Sequence, residues 1–254
     1  MPAISARAKV LSAISTLKGS ANRFRVFNLC TTIPTHKPFY YEDAYYSICQ
    51  KLDILFSMFT LSFCAAGCGR PAYKGSALCA THSADPDADA KKLGEYIEQQ
   101  KIIEDLSAQG LHFQEMDFSH LQLYGCDFNG AIFTNCLFNK SVMRMCFFEF
   151  STFSSCNLSA SDIQFLSFAG AILKDCSFEG SELVNTNFGG TLILNSNFSK
   201  TNLYNSRFLS ANITESDFTD CNLNRTNFVN SIRENLSFKS SNTAEAIFEM
   251  EEYN

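Results

Sequence analysis

The chain of 254 residues contains no tryptophan, five prolines, twelve glycines and four histidines. So little glycine excludes collagen-type and glycine-loop low-complexity classes. Charge is also sparse, at 18% of residues against 46% hydrophobic. That balance excludes a disordered tail, which is rich in charge and poor in aromatics. Basic charge is short overall: the net charge is −6 and the isoelectric point near 5.2. A general nucleic-acid binder needs a basic surface, so no direct nucleic-acid binding is expected. The apolar stretch 54–67 is too short to span a bilayer, so no membrane span is expected. There is no HExxH, no glycine-rich phosphate loop and no nucleophile elbow, and the chain reads as a non-enzyme. Acid is missing from residues 1–41, which carry Arg7, Lys9, Lys18, Arg23, Arg25 and Lys37 with frequent serine. That composition suits organelle targeting, or an upstream extension with Met58 as the start.

What the chain has in excess is phenylalanine, 25 residues. From Phe113 a large apolar residue recurs every five positions through Phe118, Leu123, Phe128 and Phe133 to Phe228, with Phe238 and Phe248 beyond. That is 28 positions without an insertion, broken only at Arg233 and Thr243. Two residues before most centres sits a small residue, such as Ala131, Cys136, Ser151, Thr186 or Ala211, and the residue between is often Asn or Asp. A period of five fits neither a helix nor a plain strand, but it fits a short strand plus a turn. Residues two apart in extended chain share a face, so both registers point inward. Positions ending in 8 from 118 to 248 are Phe at 13 of 14, whereas those ending in 3 are mostly Leu, Ile or Met. The pattern predicts two opposed aromatic walls and two aliphatic ones, as a filled core rather than a ligand channel.

Segments such as Thr201-Asn202-Leu203 and Cys221-Asn222-Leu223 resemble the pentapeptide-repeat family, whose unit reads A(D/N)LXX. The resemblance covers residues 111–250. It implies a mainly β fold: a right-handed quadrilateral β-helix with four units per coil, about seven coils and roughly 34 Å of height at the spacing of sheet strands. Some members of this family bind bacterial type II topoisomerases as acidic DNA mimics. Residues 111–254 hold 16 acids against 8 bases, and Glu115, Asp175 and Glu215 share a column that Asn and Ser dilute.

The eleven cysteines divide. Cys126, Cys136, Cys146, Cys156, Cys176 and Cys221 occupy the small register and read as buried fillers in a reducing compartment. Cys64, Cys68, Cys79 and His82 form a C-x3-C-x10-C-x2-H set with Gly67, Gly69, Pro71 and Gly75 between. Zinc takes four N or S ligands in a tetrahedron, and two close pairs across a turn-rich loop supply them. The segment resembles a short treble-clef or zinc-knuckle finger and predicts a structural Zn2+ site; a reduced cluster without metal is the alternative. Cys30 and Cys49 carry no readable role.

The expected organisation is an N-terminal extension over 1–57, a zinc-finger-like segment over 58–84, a linker and capping α-helix over 85–110, and the β-helix over 111–254. Asp87 and Asp89 suit a helix start, and Leu93, Tyr96, Ile97, Ile103 and Leu106 fall at helical spacing before Gly110. That stripe would cap the solenoid or bind a partner. Three phenylalanines lie outside the inward register, Phe147, Phe150 and Phe165. With Val142 and Met145 they form a candidate protein-contact patch, unless the finger or helix folds over it. Ile132, Ile172, Leu192 and Ile232 share another outer column, at multiples of twenty. The C-terminal coil offers a surface for a homodimer. The expected function is a non-catalytic interaction or scaffold module, cytoplasmic, with modulation of gyrase as the alternative.

Overall fold

The computed structural model describes residues 62–249. The extension 1–57, Cys30 and Cys49 lie outside them, as do the five residues that follow. The described residues belong to the second of two units, 57–254.

After a short irregular segment comes one α-helix, α1 (Pro86–Glu98). Asp85 caps it by accepting from the Ala88 N–H at 3.0 Å, Pro86 occupies the first turn, and Asp87 and Asp89 face the positive helix end. Twelve three-residue strands follow among the described residues: β1 (Ile102–Glu104), β2 (His112–Gln114), β3 (Gln122–Tyr124), β4 (Ile132–Thr134), β5 (Val142–Arg144), β6 (Thr152–Ser154), β7 (Asp162–Gln164), β8 (Ile172–Lys174), β9 (Glu182–Val184), β10 (Leu192–Leu194), β11 (Asn212–Thr214) and β12 (Ile232–Glu234). Odd strands β1 to β9 form one parallel sheet, and β2, β4, β6, β8, β10, β11 and β12 form another. Each strand pairs with the one twenty residues on, as in Ile132↔Thr152 and Thr152↔Ile172. The other two walls are held by single bridges at the same spacing, such as Asp127↔Phe147 and Phe147↔Ser167. The fold is therefore a four-walled parallel β-solenoid of about seven coils.

The repeat centres fill the core. Phenylalanines one coil apart stack nearly parallel, Phe188 on Phe208 at 4.7 Å and Phe198 on Phe218 at 4.8 Å. Those of opposed walls meet edge to face, Phe188 against Phe198 at 5.9 Å and 85°. Both arrangements suit the aromatic quadrupole. The small register does more than fill space. Ser161 Oγ donates to the Phe138 carbonyl at 2.8 Å, Ser181 Oγ to Leu158 at 2.7 Å and Thr226 Oγ1 to Leu203 at 2.8 Å. Cys156 Sγ makes the same bond to Phe133 at 3.4 Å, so thiol and hydroxyl are interchangeable there.

Every corner residue from 105 to 240, one in five, has left-handed φ. Gly, Asn or Asp holds 15 of these 28 positions, the residues that tolerate this region best. The rest include bulky residues: Met145 (φ 53°), Phe150 (57°) and Phe165 (58°) are among them.

Two boundaries differ from the helical reading of 90–108. The helix stops at Glu98, and Ile103 is already the buried centre of β1. Ile103 and Leu106 are part of the first coil, because the five-residue period extends back through Ala108 to Ile103 and sheet pairing to Leu123 outweighs helical spacing. The buried face of α1, Ala90, Leu93 and Ile97, joins the solenoid core. Gly94 leaves room for the Met116 side chain, whose Cε would lie 2.0 Å from a Cβ there. At the far end Arg233 replaces an apolar centre. Its guanidinium donates to the Phe228 carbonyl at 3.0 Å and lies 5.1 Å over the Phe248 ring, closing the aromatic stack with a cation–π contact.

Candidate interaction wall and cysteine-histidine cluster

The segment before α1 turns on three left-handed glycines, Gly67, Gly69 and Gly75. An antiparallel bridge between Phe63 and Pro71 and the Cys64 N–H to Arg70 carbonyl bond at 2.9 Å fold the first cysteine pair into a knuckle. Cys79 caps a 3-10 turn, Ala80–His82, which brings His82 back toward it. The four ligand atoms of Cys64, Cys68, Cys79 and His82 all lie within 4.8 Å of one another. The closest approaches are Cys64 Sγ to His82 Nδ1 at 3.5 Å, Cys79 Sγ to His82 Nδ1 at 3.6 Å and Cys68 Sγ to Cys79 Sγ at 3.7 Å. A tetrahedral zinc with Zn–S ~2.3 Å and Zn–N ~2.05 Å would set neighbouring ligand atoms ~3.5 to ~3.8 Å apart, and these three of the six edges fall in that range. Burial opposes ionisation of Cys79. The His82 backbone and the side chains of Cys64, Cys68 and His82 outweigh it and bring the thiol down to about 6. Hydrogen bonds to Cys64 and Cys79 hold the His82 imidazole above its ordinary value.

The knuckle is tied to the first coil. The Lys74 N–H donates to the Ser107 carbonyl at 3.0 Å, and Tyr73 Oη and Ser83 Oγ both donate to Asp89 in the first turn of α1.

The outer phenylalanines sit on one wall and its two corners. Phe147 is half-buried at the middle of the wall, bridged to Asp127 and Ser167. Met145 and Phe165 follow one another along one corner, and Phe165 is 59% exposed. Phe150 stands on the opposite corner, 74% exposed. Its ring lies over Gly170 of the next coil, where a Cβ would come within 2.7 Å of it. Val142 is apart from these four. It lies on β5, on the neighbouring wall, and Arg144 stands between it and the Met145 corner, held by its ion pair to Asp162. Spacing could not show that separation, because it depends on where the corner falls. The recurrence of Gly, Asn and Asp at positions ending in 0 and 5 was the readable signal for the corners.

Ile132, Ile172, Leu192 and Ile232 do share a column, through the register of β4, β6, β8, β10, β11 and β12. Among the described residues no helix is long and apolar enough to cross a membrane.

Coils of four five-residue units with small and apolar residues inside define a class of repeat solenoid, and comparison with known families gives its name. Residues 171–248 match the pentapeptide repeat region model and residues 106–135 the model of pentapeptide repeats in eight copies. The chain belongs to the pentapeptide-repeat proteins. Among solved structures it is similar to QnrB1, a plasmid-mediated fluoroquinolone resistance protein, at 13% identity over 52% of this chain and 79% of that one, with a TM-score of 0.35. It is similar to HetL of the cyanobacterium Nostoc, a pentapeptide repeat protein involved in heterocyst differentiation regulation, at 10% identity over 61% and 94%, with a TM-score of 0.20. It is also similar to a pentapeptide repeat protein of the Arabidopsis thaliana thylakoid lumen, at 20% identity over 54% and 63%, with a TM-score of 0.18. No curated protein matches the chain.

Proposed function

We propose that the chain is a non-catalytic protein-interaction or scaffold module that presents an apolar wall. The observation that carries the reading is the placement of Phe150 and Phe165. Both occupy left-handed corners that glycine would relax, and both keep most of their surface in water. A bulky residue held at a conformational cost with most of its ring exposed gains little for the fold, which points to a contact made with another molecule. Among the described residues serine and aspartate recur because the repeat recurs, which supports reading them as structural. Replacing Phe165 with glycine tests the reading. Binding of host proteins should fall while the melting temperature holds; an unchanged set of bound proteins sinks it.

We also assign Cys64, Cys68, Cys79 and His82 to a structural zinc ion. Four protein ligands would leave no open position, which suits a stabilising role for residues 58–84 next to the capping helix and the β-helix of 111–254. The nine described cysteines are all free thiols, in keeping with a reducing compartment such as the cytoplasm.

A second reading is modulation of a type II topoisomerase through the acidic corner of Glu115, Asp175 and Glu215. It fails if a large molar excess of the protein leaves gyrase supercoiling unchanged. Homodimerisation through the C-terminal coil is a separate expectation, supported by the 46% exposed Ile247.

A further inference from the structure

The four corners of the solenoid differ in charge. One carries Lys140, Lys200 and Asp220, a second Asp105 and Arg225, a third Glu115, Asp175 and Glu215. The fourth carries none: it runs Gly110, Gly130, Phe150, Gly170, Gly190, Ser210 and Asn230. Beside it lies the outer column of the seven-stranded sheet, with Ile132, Thr152, Ile172, Leu192 and Ile232. The one acid at its other flank, Glu149, is turned to the wall, where it accepts from Ser167 Oγ at 3.2 Å.

We infer that this uncharged corner is a self-association surface on which a second copy of the chain lies antiparallel. The inference rests on the reading of the exposed phenylalanines as contact residues. A corner without charge sets no like charges of two copies against each other, whatever their register. Its shape is self-complementary. Gly170 is halfway between Gly110 and Asn230, so a two-fold axis there sets Phe150 of each copy against the bare backbone of Gly189 and Gly190 of the other. Two copies would bury roughly 900 Å² from Ile132, Phe150, Ile172, Leu209 and Ile232 before the glycine backbone is counted, close to the ~1,000 Å² of a specific interface.

Sedimentation velocity on the full chain tests this. A dimer is expected. Phe150→Gly, which suits a φ of 57°, and Ile172→Glu, which sets two acids beside the axis, should each weaken it at least about tenfold with the melting temperature retained. Ile247→Glu, in the C-terminal coil, should leave it intact. A monomer at about 100 µM, where such an interface should be populated, overturns the proposal, as does a dimer indifferent to both corner variants. Phe165 lies off this corner, so binding of another protein that depends on Phe165 in a monomeric chain would overturn the dimer and keep the interaction reading.

Discussion

Cys79 is the most informative single position in the chain. Its sulfur lies 3.6 Å from His82 Nδ1 and 3.7 Å from Cys68 Sγ, and its backbone caps the turn that carries His82. Zinc-finger sites bind their metal with about 10–16 kcal/mol, so one ligand of four accounts for about 3 kcal/mol, or two orders of magnitude in Kd. Cys79→Ser should therefore lower zinc affinity about hundredfold, while leaving the backbone cap of the turn intact. The measurement is zinc per mole of purified chain by mass spectrometry, followed by competition with a chromophoric chelator. Wild type should hold one equivalent. Acid should release it, because the ligands must be deprotonated. The sign follows from Cys79: its folded value, about 6, lies below the ordinary 9.0, so the favourable thiolate state is lost as pH falls through about 6. Less than a tenth of an equivalent in wild type, or equal affinity in Cys79→Ser, would refute the assignment.

Other outcomes follow from the core and the corners. Phe188 stacks on Phe168 and Phe208 and meets Phe178 and Phe198 edge to face. Phe188→Ala should cost about 3–5 kcal/mol in denaturant unfolding, and a loss under about 2 kcal/mol would mean the column collapses around the gap. Phe188→Leu should cost about 1–2 kcal/mol, since Leu158 already sits in an aromatic wall. Burial raises the Cys146 thiol, so native-state alkylation read by mass spectrometry should modify the exposed Cys68 long before Cys146; equal rates would show that the coils open freely. Phe165→Gly relieves left-handed strain but forfeits partial packing, so the melting temperature should move by no more than a few degrees.

Much of this architecture is written in the period of five. The Phe register gives the walls, the small register gives their inner partners, and Cys64, Cys68, Cys79 and His82 converge as their spacing and glycines imply. Three things were not legible. The helix end at Glu98 was hidden because Ile97, Ile103 and Leu106 satisfy a helical stripe as well as the start of the repeat. Val142 looked like a neighbour of Met145 because distance along the chain says nothing of a wall boundary between them. The packing of the exposed Phe150 ring over Gly170 joins residues one coil apart, and neither residue alone signals it.

The spacing of twenty between sheet partners also fixes how the rod can change length. Excising residues 181–200 would join Gly180 to Thr201, one small-register residue standing where another stood, and every wall would meet its own kind. The rod would shorten by one coil, about 4.8 Å, with its ends unaltered. Excising five residues instead would rotate everything downstream by a quarter turn, setting aromatic walls over aliphatic ones and carrying the uncharged corner onto a charged edge. Length in this molecule is a whole-number quantity, and the surfaces it displays keep their alignment only in steps of a full coil.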